Sequence, residues 1–557
     1  MSERSSNRRI RLLLGLFALV FVGTLGRAIW LQGVQASTLE RIAARQHEQT
    51  TAIPAGRGTI YDRTGEPLAI GEQATTVYAD PRLVQNPRRV ALAAARALGV
   101  DAEALYPLLA DRKRRFVYVK RKADPAKAAE LEREGLAGLG YYSEELRYYP
   151  QRGVAAQVLG FAGVDNDGLE GLERSLDKQL LGKPGSQTTV TDPAGRVISV
   201  VATEPELPGR DVALTIDHRI QANAESVLRE TVKRWGAKAG NVIVLDPRTG
   251  AVLAMAVAPG YDANRFASVS PERRRNRSVT DVYEPGSTFK VVTVAAALSE
   301  KIVTPTTQFT LASSIRVADR IINEHEPRAT QRMTVAQILS QSSNIGTITL
   351  AQKLGRGRVE SWIDRFGFGR RTGVDAPGES RGLLPGYWSG STIGNVPIGQ
   401  GIGVTPVQMA AAYAAIANDG VLRKPYLVAR VGDEPNRRGA GRRVISKTVS
   451  AQMMAMLRDV VSAEGGTGAL AAVPGYTVAG KTGTAAKPIP GGYSDTKYVA
   501  SFVGVVPAKD PRLVVLVSID EPSGAIWGGV VAAPAFAEIA RSSLVELEIA
   551  PDAASGP

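Results

Sequence analysis

The stretch that decides the fold is Glu284-Pro285-Gly286-Ser287-Thr288-Phe289-Lys290, followed by the apolar run Val291-Val292-Thr293-Val294-Ala295-Ala296-Ala297-Leu298. Proline and glycine interrupt the preceding chain and the run contains no helix breaker, so the stretch predicts a buried helix beginning near Ser287. Lys290 comes three residues later and lies one turn further along the same face. Burial and the positive end of the helix dipole both favour a neutral lysine amine, which could activate the serine hydroxyl. The stretch thus predicts a serine nucleophile with a lysine base.

Two later motifs accompany this pair. Gln341-Ser342-Ser343-Asn344 lies between two runs that predict helices, 335–339 and 345–350. Lys481-Thr482-Gly483-Thr484 closes a run at 476–479 that predicts a strand. Ser-x-x-Lys, a Ser-x-Asn type element and Lys-Thr-Gly, in this order, are typical of β-lactamases and penicillin-binding proteins.

No single motif carries this assignment, because each has a chance counterpart in the chain. Ser-x-x-Lys also occurs at 175–178 and 494–497, Ser-Ser-Asn at 5–7, and Arg-Thr-Gly three times. Only one set appears in the required order with each member in a fitting context. The combination, rather than any member, predicts the active site.

Composition limits the classes of protein that remain. The chain has 557 residues, 44% of them apolar and 22% charged, which suits two or three globular domains. It has no cysteine, so disulfides and thiolate metal sites are excluded. The three histidines, His47, His218 and His325, lack ligand spacing and are interpreted as structural or surface residues. The net charge of +14 comes without a nucleic-acid-binding pattern, and fits an anionic lipid, a cell-wall polymer or a solvated basic surface.

The N-terminus predicts a membrane anchor. Residues 1–11 are basic and form a cytoplasmic tail, and residues 12–34 would span about 34 Å as a helix, enough to cross a bilayer. Arg27 near the outer edge either reaches the lipid headgroups or contacts a partner helix, and Trp30 suits the interface. The alternative is a cleaved signal peptide ending near 34–36. The length of the apolar segment favours the retained anchor.

Two larger parts and a tail follow the anchor. Residues 35–208 are expected to form an elongated, mixed α+β pedestal without catalytic residues, beginning with a polar, helix-compatible stalk at 35–50. Pro208-Gly209 is the expected linker to a catalytic domain at 209–548. Residues 549–557 are expected to be a disordered tail.

The order of predicted elements gives the fold class. The pedestal is expected to be mainly helical over 87–139. The later part predicts a strand at 212–217, a helix through 235, a hairpin at 241–257, a helical block to about 440, strands at 499–506 and 513–519, and a helix at 532–544. Two strands, a helical block, three strands and a closing helix predict an α+β domain, with a five-stranded antiparallel sheet between helical layers.

On the evidence of these motifs, the chain resembles a class B penicillin-binding protein over nearly its whole length. The pedestal stretches 57–63 and 168–173, and 277–281 before the nucleophile, match that family's pattern. The resemblance implies a short tail, one transmembrane helix, a non-catalytic (dimerisation-type) pedestal and a penicillin-binding, β-lactamase-like transpeptidase domain. The stretch 401–408 is more similar to the septal, cell-division branch (FtsI-like, penicillin-binding protein 3-like) than to the elongation branch, which stays open as an alternative.

The resemblance implies a role for each catalytic residue. Ser287 attacks the carbonyl between the last two D-alanines of a peptidoglycan stem peptide, and Lys290 takes its proton. D-alanine leaves, and an amine of a neighbouring stem peptide resolves the acyl enzyme into a cross-link. Ser342 relays a proton to the leaving amine, and Asn344 holds Lys290 and the substrate amide. Capping of the following helix is the alternative role for Ser342 and Asn344.

The same resemblance assigns the substrate-binding residues. Lys481 supplies positive potential, and the hydroxyls of Thr482 and Thr484 bind the terminal carboxylate. Gly483 lets the substrate backbone approach the strand closely. The backbone N–H groups of Ser287 and Thr484 form the oxyanion hole. The alternative for Lys481 is a solvated strand end.

Partners and rival functions also follow from the resemblance. It implies inhibition by β-lactams and a reaction that needs no metal and no organic cofactor. It also implies that most of the chain lies outside the cytoplasm and that an FtsW-like membrane glycosyltransferase is a partner. The open alternatives are a β-lactamase or D,D-carboxypeptidase, and a non-catalytic β-lactam sensor or division scaffold. The arginine runs at 273–275, 437–438 and 442–443 are interpreted as solvated loops rather than docking sites.

Overall fold

The computed structural model describes residues 3–35, 48–191, 197–436 and 439–553. The chain divides into two compact units. The first comprises residues 1–56 and 182–208, and the second comprises 57–181 and 209–557. Most of the predicted stalk, residues 36–47, lies outside the described residues, as does His47.

The first unit contains the predicted anchor. A helix runs over Glu3–Ile29 and continues as a π-helical turn at Trp30–Val34. Its apolar side chains are exposed. Among the described residues, the segment Asn7–Val34 is the one helix long and apolar enough to cross a membrane.

The same unit contains a three-stranded antiparallel sheet. Its strands are Glu48–Ile53, Gly185–Thr191 and Val197–Glu204, in that spatial order. Two distant chain segments therefore form one sheet, and residues 48–50, predicted as stalk, begin its first strand.

A seven-stranded sheet occupies part of the second unit. Its strands are, in spatial order, Glu434–Pro435, Val428–Val431, Val212–Leu214, Ile60–Tyr61, Pro67–Ala79 and Val117–Ala123, with Leu139–Tyr148 paired to Pro67–Ala79. Val212 and Ala213 pair in parallel with Ile60 and Tyr61. The sheet thus joins strands from both sides of the predicted linker at 208–209.

Helices cover the pedestal part of this sheet. They are Pro87–Leu98, Ala102–Ala110, Pro125–Arg133, Ala156–Leu159, Gly171–Ser175 and Asp177–Leu180. The expected helical region 87–139 is thus interrupted by the strand Val117–Ala123, whose buried and exposed residues alternate at its start because one face packs on the helices.

A five-stranded antiparallel sheet forms the centre of the catalytic part, as predicted. Its spatial order is Val252–Ala258, Ala239–Leu245, Leu513–Asp520, Gly492–Val506 and Ala479–Ile489. Every pair is antiparallel. The last strand, at one edge of the sheet, contains the Lys-Thr-Gly motif. The strand predicted at 476–479 begins only at Ala479, so the motif lies inside the strand rather than at its end.

Helices pack on both faces of this sheet, which confirms the predicted α+β layers. His218–Arg234 and Ala533–Glu546 cover one face. The other face packs against a larger helical block, formed by Lys290–Ser299, Val335–Ser340, Asn344–Leu354, Arg356–Arg365, Pro406–Ala417 and Lys447–Ser462. Shorter elements at Gln308–Leu311, Ser314–Val317, Arg320–Asn323 and Gln331–Thr334 form two hairpin-like sheets within this block.

The described part of the predicted disordered tail is ordered. Tyr476 Oη donates to Ile549 O at 2.6 Å, and Thr477 N donates to Asp552 Oδ1 at 2.6 Å. Ile549 is buried. These contacts join residues far apart in sequence, so local composition could not predict them; residues 554–557 lie outside the described part.

Candidate active site

Ser287 lies in a 3₁₀ turn, Gly286–Phe289, that leads directly into the buried helix Lys290–Ser299. Gly286 has a φ of +53°, and its N–H donates to Gly399 O at 3.1 Å. A Cβ at Gly399 would lie 2.1 Å from Gly286 O, so only glycine permits this approach. The turn is therefore held in one conformation, with Ser287 at the start of the helix.

The Lys290 amine joins the first two predicted motifs. Its side chain is fully buried. Nζ donates to Ser342 O at 2.5 Å and to Asn344 Oδ1 at 2.7 Å, and lies 3.3 Å from Ser342 Oγ. Three of the predicted catalytic residues thus form one buried cluster, although more than fifty positions separate the lysine from the other two.

Two short helices position Ser342 and Asn344. Ser342 lies in the connection between Val335–Ser340 and Asn344–Leu354, with an unusual φ of +61°. The cap of the second helix is Ser343, whose Oγ accepts from Gly346 N at 3.0 Å. The alternative capping role for Ser342 is therefore not the one observed. Asn344 is likewise occupied elsewhere, because its Nδ2 donates to Asn323 O at 3.2 Å.

Glu324, which the sequence analysis missed, holds this connection in place. Its carboxylate accepts hydrogen bonds from Asn344 N at 2.7 Å, from Arg328 Nη2 at 2.6 Å and from Ser343 Oγ. Although burial raises the pKa of Glu324, the hydrogen bonds from Ser343, Arg328 and Asn344 lower it below its ordinary value. The carboxylate is thus charged and fixes the start of the helix that carries Asn344.

The edge strand Ala479–Ile489 supplies the third motif. The Lys481 side chain is fully buried, and its Nζ donates to Thr482 O at 3.2 Å. This burial excludes the alternative of a solvated strand end. The Thr482 hydroxyl shares a 2.7 Å hydrogen bond with Thr467, and the Thr484 hydroxyl accepts from Gly528 N at 3.1 Å.

Gly483 lets two neighbouring segments pack closely against the edge strand. The substrate approach that the resemblance implies for this glycine stays a prediction. A Cβ at this position would lie 2.4 Å from Ser501 Oγ, 2.9 Å from Thr288 Cγ2 and 3.0 Å from Pro285 O. The space that glycine leaves open is therefore filled by the neighbouring strand and by the nucleophile turn. Glycine is required so that the edge strand can lie against that turn.

Burial shapes the charge of both lysines. It lowers the pKa of Lys290 to about 7, and the Glu324 carboxylate offsets part of the effect. Burial and the nearby charge of Lys290 lower the pKa of Lys481 well below its ordinary value. A substantial fraction of Lys290 is therefore neutral near pH 7, which is the condition for a base.

A cleft of about 550 Å³ opens at this cluster. Four predicted residues line it: Ser287, Ser342, Thr482 and Thr484. Other lining residues have no role in the sequence prediction, and among them are Glu324, His325, Thr467 and Trp527. The His325 and Trp527 rings meet edge to face with centroids 5.9 Å apart. His325, interpreted as a structural or surface residue, thus lies at the site, and no spacing in the sequence signals it.

The predicted oxyanion hole concerns the nucleophile turn and the edge strand. A Cβ at Gly286 would lie 3.1 Å from Thr484 O, so the two backbones run side by side. The roles of the Ser287 and Thr484 N–H groups stay a prediction.

The competing serine motifs lie elsewhere: Ser175 Oγ donates to Leu172 O at 3.4 Å, and Ser494 Oγ accepts from Lys497 N at 3.0 Å.

Among the described residues, one group could hold a metal by proximity: Asp62, Asp217 and His218. Its carboxylates have protein partners. Asp62 accepts from His218 Nδ1 at 2.6 Å and from the backbone at Thr64 and Glu66, and Asp217 caps a helix and pairs with Arg63. Hydrogen bonding and capping account for this group.

Comparisons with known proteins agree with this geometry. Family models match at residues 240–541, for the penicillin-binding protein transpeptidase domain, and at 52–214, for the penicillin-binding protein dimerisation domain. Peptidoglycan D,D-transpeptidase FtsI of Escherichia coli K12 is 35% identical, over 98% of this chain and 93% of its own. Probable peptidoglycan D,D-transpeptidase PenA of Neisseria gonorrhoeae is 35% identical, over 98% and 94%.

A solved structure agrees as well. Penicillin-binding protein 3 of Mycobacterium tuberculosis, complexed with aztreonam, has a TM-score of 0.71 and 30% identity. The match covers 91% of this chain and 98% of that one. The likeness therefore extends over both family domains.

Proposed function

The chain belongs to the penicillin-binding proteins and is a serine-type peptidoglycan D,D-transpeptidase; from that premise we propose that Ser287, activated by Lys290, cross-links stem peptides in the septal wall. The observation that carries the assignment is the buried cluster of Lys290, Ser342 and Asn344 beside the nucleophile turn. No other Ser-x-x-Lys set in the described chain has such a cluster.

Acylation begins with proton transfer. Neutral Lys290 takes the Ser287 proton while Oγ attacks the carbonyl carbon between the two terminal D-alanines. The carbonyl oxygen becomes an oxyanion, which the N–H groups of Ser287 and Thr484 stabilise. One such donor contributes about 2.7–4 kcal/mol to transition-state stability.

Collapse of this intermediate breaks the peptide bond. The Lys290 ammonium returns the proton through Ser342 Oγ, 3.3 Å from Nζ, to the departing D-alanine nitrogen. An ester between Ser287 and the donor peptide remains. An acceptor amine then attacks this ester, its proton passes back along the same route to Ser287 Oγ, and the new peptide bond is the cross-link.

The edge strand is the proposed binding surface for the donor peptide. Its side facing away from Gly492–Val506 has no strand partner among the described residues, so an extended peptide can pair with it. Thr482 and Thr484 receive the terminal carboxylate, whose negative charge favours the ammonium form of Lys481. Asn344 Nδ2 would exchange Asn323 O for the substrate amide.

The proposed location is the cytoplasmic membrane. Asn7–Val34 is long and apolar enough to cross it, and Arg4, Arg8, Arg9 and Arg11 favour a cytoplasmic N-terminus. The catalytic part would then lie outside. The stretch 401–408 and the FtsI relative support a septal role. The FtsW-like glycosyltransferase partner is proposed from the family resemblance alone.

Labelling membranes with a fluorescent penicillin tests the nucleophile. Wild-type chain should carry a stable adduct, mapped by mass spectrometry to Ser287. Ser287→Ala should abolish labelling with Tm unchanged, and Ser494→Ala, in the chance Ser-x-x-Lys set, should label normally. An adduct that persists in Ser287→Ala would contradict the assignment. Localisation of a fluorescent fusion in dividing cells separates the septal from the elongation role.

A further inference from the structure

A second cavity, outside the active site, has five cationic residues in its lining. Its volume is about 470 Å³, and none of its lining residues lines the catalytic cleft. The positively charged lining residues are Arg370, Arg371, Arg423, Lys424 and Arg442. This set, named here the basic pocket, includes one of the arginines from the runs that the sequence analysis interpreted as solvated loops.

Negative charge in the basic pocket is scarce. Among its described lining residues the one carboxylate is Asp375. Asp375 Oδ2 already accepts from Leu427 N at 3.0 Å and Val428 N at 2.9 Å. The Asp375 carboxylate is therefore engaged by two backbone N–H groups. The lining of the pocket carries more positive than negative charges.

Three of the cations are free to bind. Within the described chain, the side chains of Arg371, Arg423 and Lys424 have no hydrogen bond and no ion pair. Arg423 Nε is buried without a hydrogen-bond partner. A buried donor left unpaired is unfavourable, so a ligand acceptor at this position would remove that cost.

The remaining two cations have weak or neutral partners. Arg370 pairs with Asp364 at 2.5 Å, but both side chains are more than half exposed, so solvent screens the pair. Arg442 Nη2 donates to the backbone oxygen of Arg365 at 2.7 Å, which leaves its charge uncompensated. Both are available to an anion of higher charge.

Hydrogen bonds with buried side chains fix the backbone that carries these cations. Gln408 Nε2 donates to Arg370 O at 2.8 Å. Glu379, buried at 7% exposure, accepts from Thr372 N at 2.6 Å and Gly373 N at 2.9 Å. A Cβ at Gly373 would lie 2.8 Å from Lys424 Cε, so glycine lets the lysine stem lie across the turn. The pocket is thus preorganised before any ligand arrives.

We propose that the basic pocket binds a phosphate-bearing ligand, as a phosphomonoester or a diphosphate. Guanidinium groups match phosphate oxygens with paired N–H donors, and several converging cations favour a doubly charged group over a single carboxylate. The same chemistry is offered by a soluble diphosphate and by the phosphomonoester headgroup of a phosphatidic acid. The site is separate from the proposed transpeptidation, and neither proposal depends on the other.

The test uses the full chain in detergent, with calorimetric titration at constant ionic strength. The probes are inorganic pyrophosphate and dihexanoyl phosphatidic acid below its micelle concentration, with dihexanoyl phosphatidylcholine as the lipid without net charge. Arg423→Gln/Lys424→Gln removes two pocket charges. The matched control, Arg112→Gln/Lys113→Gln, removes the same two charge types from exposed pedestal positions. Penicillin labelling of Ser287 and Tm verify that each variant is folded.

We expect saturable pyrophosphate binding by the wild type and the control, and a loss of about tenfold or more in the pocket variant. Phosphatidic acid binding with the same loss assigns a lipid source, and its absence assigns a soluble one. No saturable pyrophosphate binding by the wild type, or equal loss in the control, would overturn the proposal. So would a polyglutamate peptide that competes as well as pyrophosphate, because the pocket would then select carboxylates.

Discussion

Two buried charged clusters of the second unit differ in how their cations are compensated. In the pedestal, Arg57 and Arg147 each donate to Glu173 at 2.7 Å, and Arg57 also pairs with Asp177 at 2.7 Å. Although burial alone lowers the pKa of Arg57, Glu173 and Asp177 raise it above its ordinary value. This cluster keeps its charges, and it ties the chain near residue 57 to helices more than a hundred residues later.

In the catalytic cluster the cations are equally buried but lack a carboxylate in contact. Lys290 donates to a backbone carbonyl and an amide, and Lys481 to a backbone carbonyl. Both pKa values fall. Carboxylates in contact therefore compensate the desolvation of the buried arginines in the pedestal. Among the described residues, no such contact compensates the desolvation of the two lysines at the active site. An uncompensated lysine can lose its proton near pH 7 and act as a base, whereas a compensated arginine can only hold structure.

Lys290→Met removes the proposed base of the catalytic cluster and should have the largest effect on the acylation rate. Without the base, the second-order rate of acylation by penicillin should fall by at least about 10³-fold, with Tm little changed. Lys290→Arg should not rescue the rate, because a guanidinium stays protonated. Stopped-flow acylation measures both. Rescue by arginine would show that the site needs charge rather than a base.

Glu173→Gln tests the pedestal cluster by removing its shared carboxylate. It leaves Arg57 and Arg147 buried without their shared carboxylate, and removing one partner of a buried pair costs about 3–5 kcal/mol. Urea unfolding of the purified chain should show this loss, while the folded fraction acylates at the normal rate. Asp177→Asn, at a side chain 30% exposed, should cost clearly less. Equal losses in the two variants would contradict the account.

The pH dependence of acylation sharpens the comparison. The reactive form of Lys290 is neutral, so the rate should rise with pH and level off above about 7, the lowered pKa of its amine. Below that value the rate should fall about tenfold per unit, because each unit removes nine-tenths of the neutral fraction. A rate independent of pH between 5 and 8 would exclude Lys290 as the base.

Glu324→Gln should have the smallest effect and identifies a positioning residue. The Glu324 carboxylate raises the pKa of Lys290, so its removal should move the pH profile to lower pH. Loss of the charged hydrogen bonds to Ser343 and Asn344 should also lower the maximal rate, by about tenfold. A purely structural role would lower the rate without moving the midpoint. Glu538→Gln, at an exposed carboxylate on the helix Ala533–Glu546 and outside the cleft, is the matched control.

The site residues that sequence could predict are those with a local signature. Ser287 and Lys290 are three positions apart, in a 3₁₀ turn and the helix that follows it directly, and Lys481 to Thr484 are consecutive on one strand, so spacing alone relates them. Glu324 has no such signature: it follows the short strand Arg320–Asn323 and reaches the Ser342 segment only through the fold. The packing role of Gly483 had no sequence signal for the same reason, since its neighbours Thr288 and Ser501 are distant in sequence.

The sequence by itself predicted the N-terminal apolar helix, the α+β layers and the three motifs, and it proposed Ser287 and Lys290 as nucleophile and base, because these depend on periodicity, breakers and short spacings. Only the tertiary structure decided the rest. It set which charges are compensated, placed Glu324 and the basic pocket, and ordered residues 549–553 against Tyr476 and Thr477. Burial and the pKa shifts it causes are sums over neighbours from distant segments, and such neighbours exist only once the chain is folded.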